Sequence, residues 1–330
     1  MGLIWCDGFN SYTSTSDLSN VWTATGAWAW GSSTGRLSDG GISCAAGTAA
    51  TITSPINIWS FPNSTYGGFC FWVKISAAPN TTTTFFTSGS GTLSVTSGGL
   101  VISAGSGNST TPSICDNAWH WIEYRNNNTN VASGGASVLW IDGISYGGTA
   151  PGLGTSSSIV FSNLAANGTI SVSYLFVIDN NSPAPQTSGM PIGQRQISLK
   201  RATSDSSVQF SRSSGSTNYS LINESSPDGD ASYVQDGTSG QADTYNYAAL
   251  GFVPNTITGV QIASRVKNAG AGAVNFKNRC ISNGTTSDGA STVSPANYQN
   301  FYSPYSQDPH TSAAWTQSNL DNATFGIAVS

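Results

Sequence analysis

Acid–base chemistry in this chain would have to come from very few side chains. There are two glutamates in the sequence, Glu123 and Glu224, and neither lies in an E-x-D-x-x-E pattern. That pattern would present two carboxylates as acid and nucleophile for glycoside hydrolysis. Glu123 sits in Trp119-His120-Trp121-Ile122-Glu123-Tyr124-Arg125. Strand alternation places Glu123 and Arg125 on one face, so a solvated charge pair is expected there. His120 shares its side with Ile122 and Tyr124 and is expected to be a packed or hydrogen-bonded sheet histidine rather than a base. The other histidine is His310. No G-x-S-x-G elbow, H-E-x-x-H helix or G-x-x-x-x-G-K-S/T loop occurs, so serine hydrolase, zinc protease and nucleotide-binding chemistry have no motif to rest on. The five cysteines, Cys6, Cys44, Cys70, Cys115 and Cys280, are odd in number and widely spaced. They form neither a disulfide framework nor a zinc site. Asp228-Gly229-Asp230, with Asp236 or Asp243, offers hard oxygens suited to calcium. Its alternative is a tight Pro227-Asp228-Gly229 turn, and it lacks the D-x-D-x-D-G ladder. Trp28, Trp30, Tyr66 and Trp140 are the aromatic candidates for a sugar contact, with core packing as the commoner role of tryptophan. No catalytic residue and no cofactor is expected. Asp228 and Asp230 are the metal candidates, and calcium is the ion they would suit.

The elements that would position these residues are strands. Charged residues make up 8% of the 330-residue chain, against about 25% in ordinary soluble proteins. The 10 Trp, 12 Tyr and 13 Phe argue against disorder, which lacks aromatics. A net charge of -5 with 11 scattered basic residues excludes nucleic acid as an expected partner, because phosphate contacts need Lys and Arg. No apolar run is long enough to cross a membrane. The N-terminus shows no basic and apolar signal segment, so synthesis in a reducing cytoplasm is expected. In residues 68–75, Phe69, Phe71, Val73 and Ile75 alternate with Cys70, Trp72 and Lys74. In residues 169–179, Ile170, Val172, Tyr174, Phe176 and Ile178 are assigned to one face. Residues 119–125 and 137–141 read as a hairpin. Asp142-Gly143 then turns the chain into a further strand. Short strands with turns every 8 to 12 residues or so are the signature of a sandwich. A Pro-rich stretch follows, so the expected division is a β-sandwich over 1–182, a linker over 183–192 and a smaller β-rich domain over 193–330.

The run from Trp119 to Arg125, followed by Val138-Leu139-Trp140-Ile141-Asp142-Gly143, resembles the central strands of laminin-G-type, concanavalin A-like jelly-roll sandwiches. The opening, Leu3-Ile4-Trp5-Cys6-Asp7-Gly8-Phe9-Asn10-Ser11-Tyr12, resembles the start of tailed-bacteriophage virion structural proteins that carry such a domain. So do Asn218 to Glu224, Pro227-Asp228-Gly229-Asp230, Tyr233-Val234, Asp243-Thr244-Tyr245, Asp308-Pro309, Ala313-Ala314-Trp315-Thr316 and Phe325-Gly326-Ile327. The chain departs from that pattern at Ser173-Tyr174, where an Asp pair is usual. The resemblance implies an all-β fold and a non-enzymatic virion component, in a capsid decoration, collar or tail fibre. It would be a homo-oligomer, bound to other virion proteins and located in the virion. A carbohydrate-binding adhesin recognising host surface glycans is the alternative on the same fold.

Overall fold

A computed structural model describes residues 2–55, 66–88, 91–103, 111–127, 138–147, 158–179 and 191–330. The chain is all-β apart from two short α-helices and one 3-10 turn among these residues. It divides into two compact units that are not successive in sequence. One holds the described residues 6–179 and 191–198. The other holds 2–5 and 199–330. Most of the predicted 183–192 linker lies outside the described residues.

The first unit is a two-sheet sandwich. One sheet runs Ile144–Gly147, Val138–Ile141, Trp119–Asn127, Tyr66–Ile75, Thr169–Asp179, Gly41–Ala45, Ala29–Gly31. The other runs Thr23–Ala24, Thr51–Thr53, Ile159–Ser162, Thr83–Ser88, Gly91–Val95, Val101–Ser103. Non-consecutive neighbours within both sheets are the mark of a jelly roll rather than a meander. The predicted alternation in residues 68–75 selects the core. Phe69 and Phe71 meet Phe86 of the opposite sheet at 5.4 and 5.1 Å between ring centroids, and Phe71 meets Phe161 edge-on at 5.2 Å. All four rings are buried, each removing roughly 1.5–3 kcal/mol worth of apolar surface from water. Asp142 and Gly143, at φ 52° and 85°, make the tight turn between Val138–Ile141 and Ile144–Gly147, as Asp-Gly requires.

Two sequence expectations change here. Residues 169–179 do not alternate throughout. Ser173 pairs with Trp72 and Phe176 with Cys70, so the register slips across Tyr174 and Leu175. Tyr174 takes a left-handed φ of 49° and hydrogen-bonds Asp39 through its hydroxyl. This bulge moves Phe176 to the face away from the core, edge-on to Trp121 at 6.0 Å, as an extra residue in one strand must.

The second change concerns Glu123, which is fully buried rather than solvated. The side chain of Arg125 lies outside the described residues. Glu123 accepts from Trp121 Nε1 at 2.8 Å, from the Ile192 amide at 2.6 Å and from the Gly193 amide at 3.0 Å. Residues 191–198 lie across this face of the sheet. Trp72 Nε1 donates to the Arg195 carbonyl at 3.0 Å, and Asn10 Nδ2 to the Ile197 carbonyl at 3.1 Å. The Arg36 guanidinium stacks 3.9 Å over Trp72. Burial pushes the Glu123 carboxyl above its usual range, against the pull of these donors.

In the second unit a five-strand path runs Ala202–Ser207, Ala242–Tyr247, Thr324–Val329, Asn275–Ser282, Thr285–Asp288. A two-stranded ribbon, Val260–Val266 with Gln299–Tyr305, stands beside it. Its core gathers Cys280, Tyr305, Trp315, Ala323 and Phe325. Trp5 meets Tyr302 of the ribbon edge-on at 5.9 Å.

Three of the motifs noted in the sequence prove to be carboxylate hubs inside the fold. Asp7 accepts from the Phe9 amide at 2.7 Å, Tyr12 Oη at 2.6 Å and Trp22 Nε1 at 2.8 Å. Asp308 accepts from the His310 amide at 3.0 Å, Thr311 Oγ1 at 2.9 Å and Asn319 Nδ2 at 2.6 Å. Asp243, with Asn218, does the same in the second unit. Buried polar groups must be satisfied, and each of these carboxylates satisfies several donors at once.

His120 is hydrogen-bonded, as its position in the strand predicts. Its Nδ1 lies 2.7 Å from Asp142 Oδ2 and its Nε2 lies 3.0 Å from Asp116 Oδ1. The bond to Asp142 chiefly, then that to Asp116, raises the histidine above its usual 6.5. Asp142 is lowered despite burial, through its bonds to His120 and the Trp121 amide. Asp116 is lowered by the Ala118 amide and by His120. A raised histidine stabilises fully below its unfolded value and loses that contribution as pH rises through its folded value. The lowered aspartates stabilise above their unfolded 3.8 and lose that contribution as pH falls. The clasp is therefore strongest between those two values. Thermal melts taken from roughly pH 5.5 to 8.5 should show a decline in stability that is smaller in His120→Gln. Equal pH dependence in the two proteins would refute it.

Candidate functional site

The second unit contains an open cleft of about 320 Å³ between the sheet and the ribbon. Alternation builds it from both sides. In Asn275–Ser282 the even-numbered residues Phe276, Asn278 and Cys280 turn inward and are buried. In Gln299–Tyr305 it is Phe301, Ser303 and Tyr305 that face them. Phe276 and Phe301 pack edge-on, centroids 4.8 Å apart. Asn278 Nδ2 donates to Ser303 Oγ at 3.1 Å. Tyr305 Oη donates to the carbonyls of Asn278 and Ser287, at 3.1 and 3.2 Å, and ties the floor together. The cleft is thus lined by the rings of Phe276 and Phe301, with Asn278 and Ser303 as polar side chains.

Asp288 is held by Arg279, Nε to Oδ1 at 2.7 Å and Nη2 to Oδ2 at 2.8 Å. This bond keeps the carboxyl below its ordinary range and the guanidinium above its own. Arg279 and Lys277 line a neighbouring hollow with Asp288, not the cleft. Asp288 stands directly across from Arg279 in the sheet, so its carboxylate lies with Arg279 and Lys277 on the face away from Phe276 and Asn278. Gly289 donates its amide to the Asn278 carbonyl at 2.7 Å. A Cβ at Gly289 would stand 2.5 Å from Ser303 Oγ.

The residues singled out from sequence do not converge on this cleft. Trp28 is 3% and Trp140 7% exposed. Trp30 donates through Nε1 to the Phe9 carbonyl at 2.6 Å. The side chain of Tyr66 lies outside the described residues. Asp230 is gripped by Lys267, with its oxygens 2.5 and 2.7 Å from Nζ, and by Tyr298 Oη at 2.9 Å. An ammonium group thus already neutralises that carboxylate. Asp228 accepts from the Ser232 amide at 3.0 Å and Ser232 Oγ at 2.9 Å, and Gly229 takes the left-handed φ of 71° that the turn needs. Among the described residues no group of three or more His, Cys, Asp or Glu could hold a metal ion. The alternation of Phe276, Asn278 and Cys280 and of Phe301, Ser303 and Tyr305 is present in the sequence. Only their register across two separate elements makes it a site.

Two sheets with their aromatic inner faces packed together, joined out of sequence order, decide the fold. The first unit is a concanavalin A-like jelly-roll sandwich. Solved structures sharing this architecture include "Cellulose induced protein, Cip1", at 11% identity over 53% of this chain and 96% of that one, TM-score 0.39. Another is arcelin-5, a lectin-like defence protein from Phaseolus vulgaris, at 9% identity over 53% and 98%, TM-score 0.35. A third is a carbohydrate esterase from the Shiga toxin-encoding bacteriophage phi24B, at 13% identity over 50% and 93%, TM-score 0.35. At such identities the likeness is one of fold alone. No family model matches the chain, and no curated protein does. The expectation of a virion structural component in capsid, collar or tail fibre is corrected by these matches. The structures resembling the chain bear lectin-like and carbohydrate-esterase titles, not those of virion scaffolding. The residues that suggested a virion protein are the internal hubs Asp7, Asn218, Asp243 and Asp308, which serve the fold.

Proposed function

We propose that this protein is a carbohydrate-binding protein that works through the cleft between the sheet and the ribbon of its second unit, by binding rather than by catalysis. The observation that carries the reading is the composition of the cleft. Along its two walls the rings of Phe276 and Phe301 lie beside the amide of Asn278 and the hydroxyl of Ser303. A sugar ring has an apolar C–H face and a rim of hydroxyls, and such a mixed wall satisfies both. The volume of about 320 Å³ lies at the small end of ligand sites, which span roughly 300–1,000 Å³. It suits a single ring or a chain terminus. Glycoside hydrolysis needs two carboxylates flanking the bond. The one acidic residue at the cleft's edge, Asp288, is already committed to Arg279.

A glycan array probed with the full chain is expected to retain a subset of glycans, displaced by free monosaccharide. Phe301→Ala should lower that binding by about tenfold, the effect of losing roughly 1.4 kcal/mol of ring contact. An array with no retained glycan would overturn the reading. So would unchanged retention by a folded Phe301→Ala variant.

A further inference from the structure

The other face of the same sheet carries the remaining residues of Asn275–Ser282. Alternation turns Lys277 and Arg279 outward there, while Phe276 and Asn278 turn inward. In register with them on the adjoining strand stand Ala328 and Gly326, which have no long side chain to cover them. A hollow of about 330 Å³ is left, with Lys277, Arg279, Asp288, Ser239 and Ala328 in its lining. Arg279 gives Nε and Nη2 to Asp288, which leaves Nη1 on the far edge of its fork without a hydrogen bond among the described residues. Lys277 is more exceptional. Every other lysine and arginine with a described side chain has an ion pair, a hydrogen bond or an aromatic ring as its partner. Among the described residues Lys277 Nζ has none of these. The side chains lining the hollow therefore sum to one positive charge, in a chain whose net charge is -5.

We infer that this hollow binds one singly charged oxyanion group of a ligand, a carboxylate or a sulfate ester, through the Lys277 ammonium and the free Nη1 of Arg279. The bidentate bond to Asp288 fixes the plane of the guanidinium before any ligand arrives. Lysine brings a point charge on a flexible stem that can close onto the anion. Charge-assisted hydrogen bonds of this kind are roughly twice as strong as neutral ones. One negative charge matches the hollow, whereas a second would have no cation left to meet it and would be repelled by Asp288. The inference goes beyond the carbohydrate-binding reading of the cleft and does not rest on it, because the two sites use opposite faces of one sheet.

The test is an NMR titration of the isotope-labelled full chain with glucuronate, with glucose 6-sulfate and with glucose. The amides of Gly240 and Ala328, which line the hollow, should shift in a saturable way with at least one of the charged probes and stay still with glucose. Saturation by glucuronate alone assigns the site to carboxylates, and saturation by the sulfate ester alone assigns it to sulfated ligands. Lys277→Ala should weaken the charged probe by about tenfold, with an unchanged melting curve because Lys277 holds nothing else in the fold. Lys277→Arg, which keeps the charge, should restore most of the binding. Raising the ionic strength from roughly 0.01 to 0.15 M shortens the screening length from about 30 to about 8 Å, so affinity should fall several-fold. Three results would overturn the inference: no saturable shift with either charged probe, glucose moving the same amides as strongly, or undiminished binding by Lys277→Ala. None of these touches the cleft, and a glycan array without a retained glycan would leave this site standing.

Discussion

Glu123→Ala is expected to lower stability by at least about 3 kcal/mol, since three buried or partly buried N–H donors lose a charged acceptor. For a unit of this size that is a fall in melting temperature of roughly 6–12 °C. The loss should have a local signature. Ile192 and Gly193 donate their amides to this carboxylate, and two further bonds hold residues 195 and 197. Without Glu123 the segment loses its two closest anchors. Trypsin should then cut after Arg195 much faster than in the natural chain. Glu123→Gln should recover only part of the loss, because an amide offers one acceptor oxygen and turns its NH2 toward N–H donors. A Glu123→Ala protein that melts at the natural temperature and resists trypsin would show that the segment is held by packing instead.

The second large effect is expected from Asp243→Ala. Asp243 accepts from the Gln209 and Phe210 amides at 2.7 and 2.8 Å, from Asn218 Nδ2 at 2.6 Å and from Tyr245 Oη at 3.0 Å. Asn218 in turn donates to the Phe210 carbonyl at 3.0 Å. Asp243 and Asn218 are both fully buried, so no water replaces the missing acceptor. Four orphaned donors put the expected cost at about 4 kcal/mol or more, near the top of what single substitutions do. Hydrogen exchange gives the local readout. The amides of Gln209 and Phe210 should exchange faster in the variant than in the natural chain. If those two amides stay protected while stability falls, the damage lies elsewhere and the hub is not what holds residues 209–210.

Much of the sandwich was legible because its strands obey a two-residue period. Phe69, Phe71, Val73 and Ile75 predicted a buried face, and that face is the core. Asp142-Gly143 predicted a tight turn, since few other pairs accept two left-handed residues in succession. Residues 169–179 failed the same reasoning at one point. Nothing local marks Tyr174 as bulged; its conformation is supported by the bond to Asp39, far away in sequence. Glu123 failed for a related reason. Its strand predicted the face it occupies but not that residues 191–198 would cover that face.

The candidate site was hidden more deeply. Phe276, Asn278, Phe301 and Ser303 look like ordinary strand residues, while the motifs that drew attention around Asp7, Asp228, Asp243 and Asp308 serve turns and buried hubs. A motif stands out in sequence when several nearby residues must satisfy one another, and that is the demand a buried carboxylate makes. A binding cleft makes no such demand along the chain. By itself the sequence determined the all-β class, the faces of the regular strands and the tight turns, because these depend on residue type and short-range spacing. Only the tertiary structure decided which strands became neighbours, where a carboxylate was covered and where Phe276 met Phe301, because those depend on contacts between residues distant in the chain.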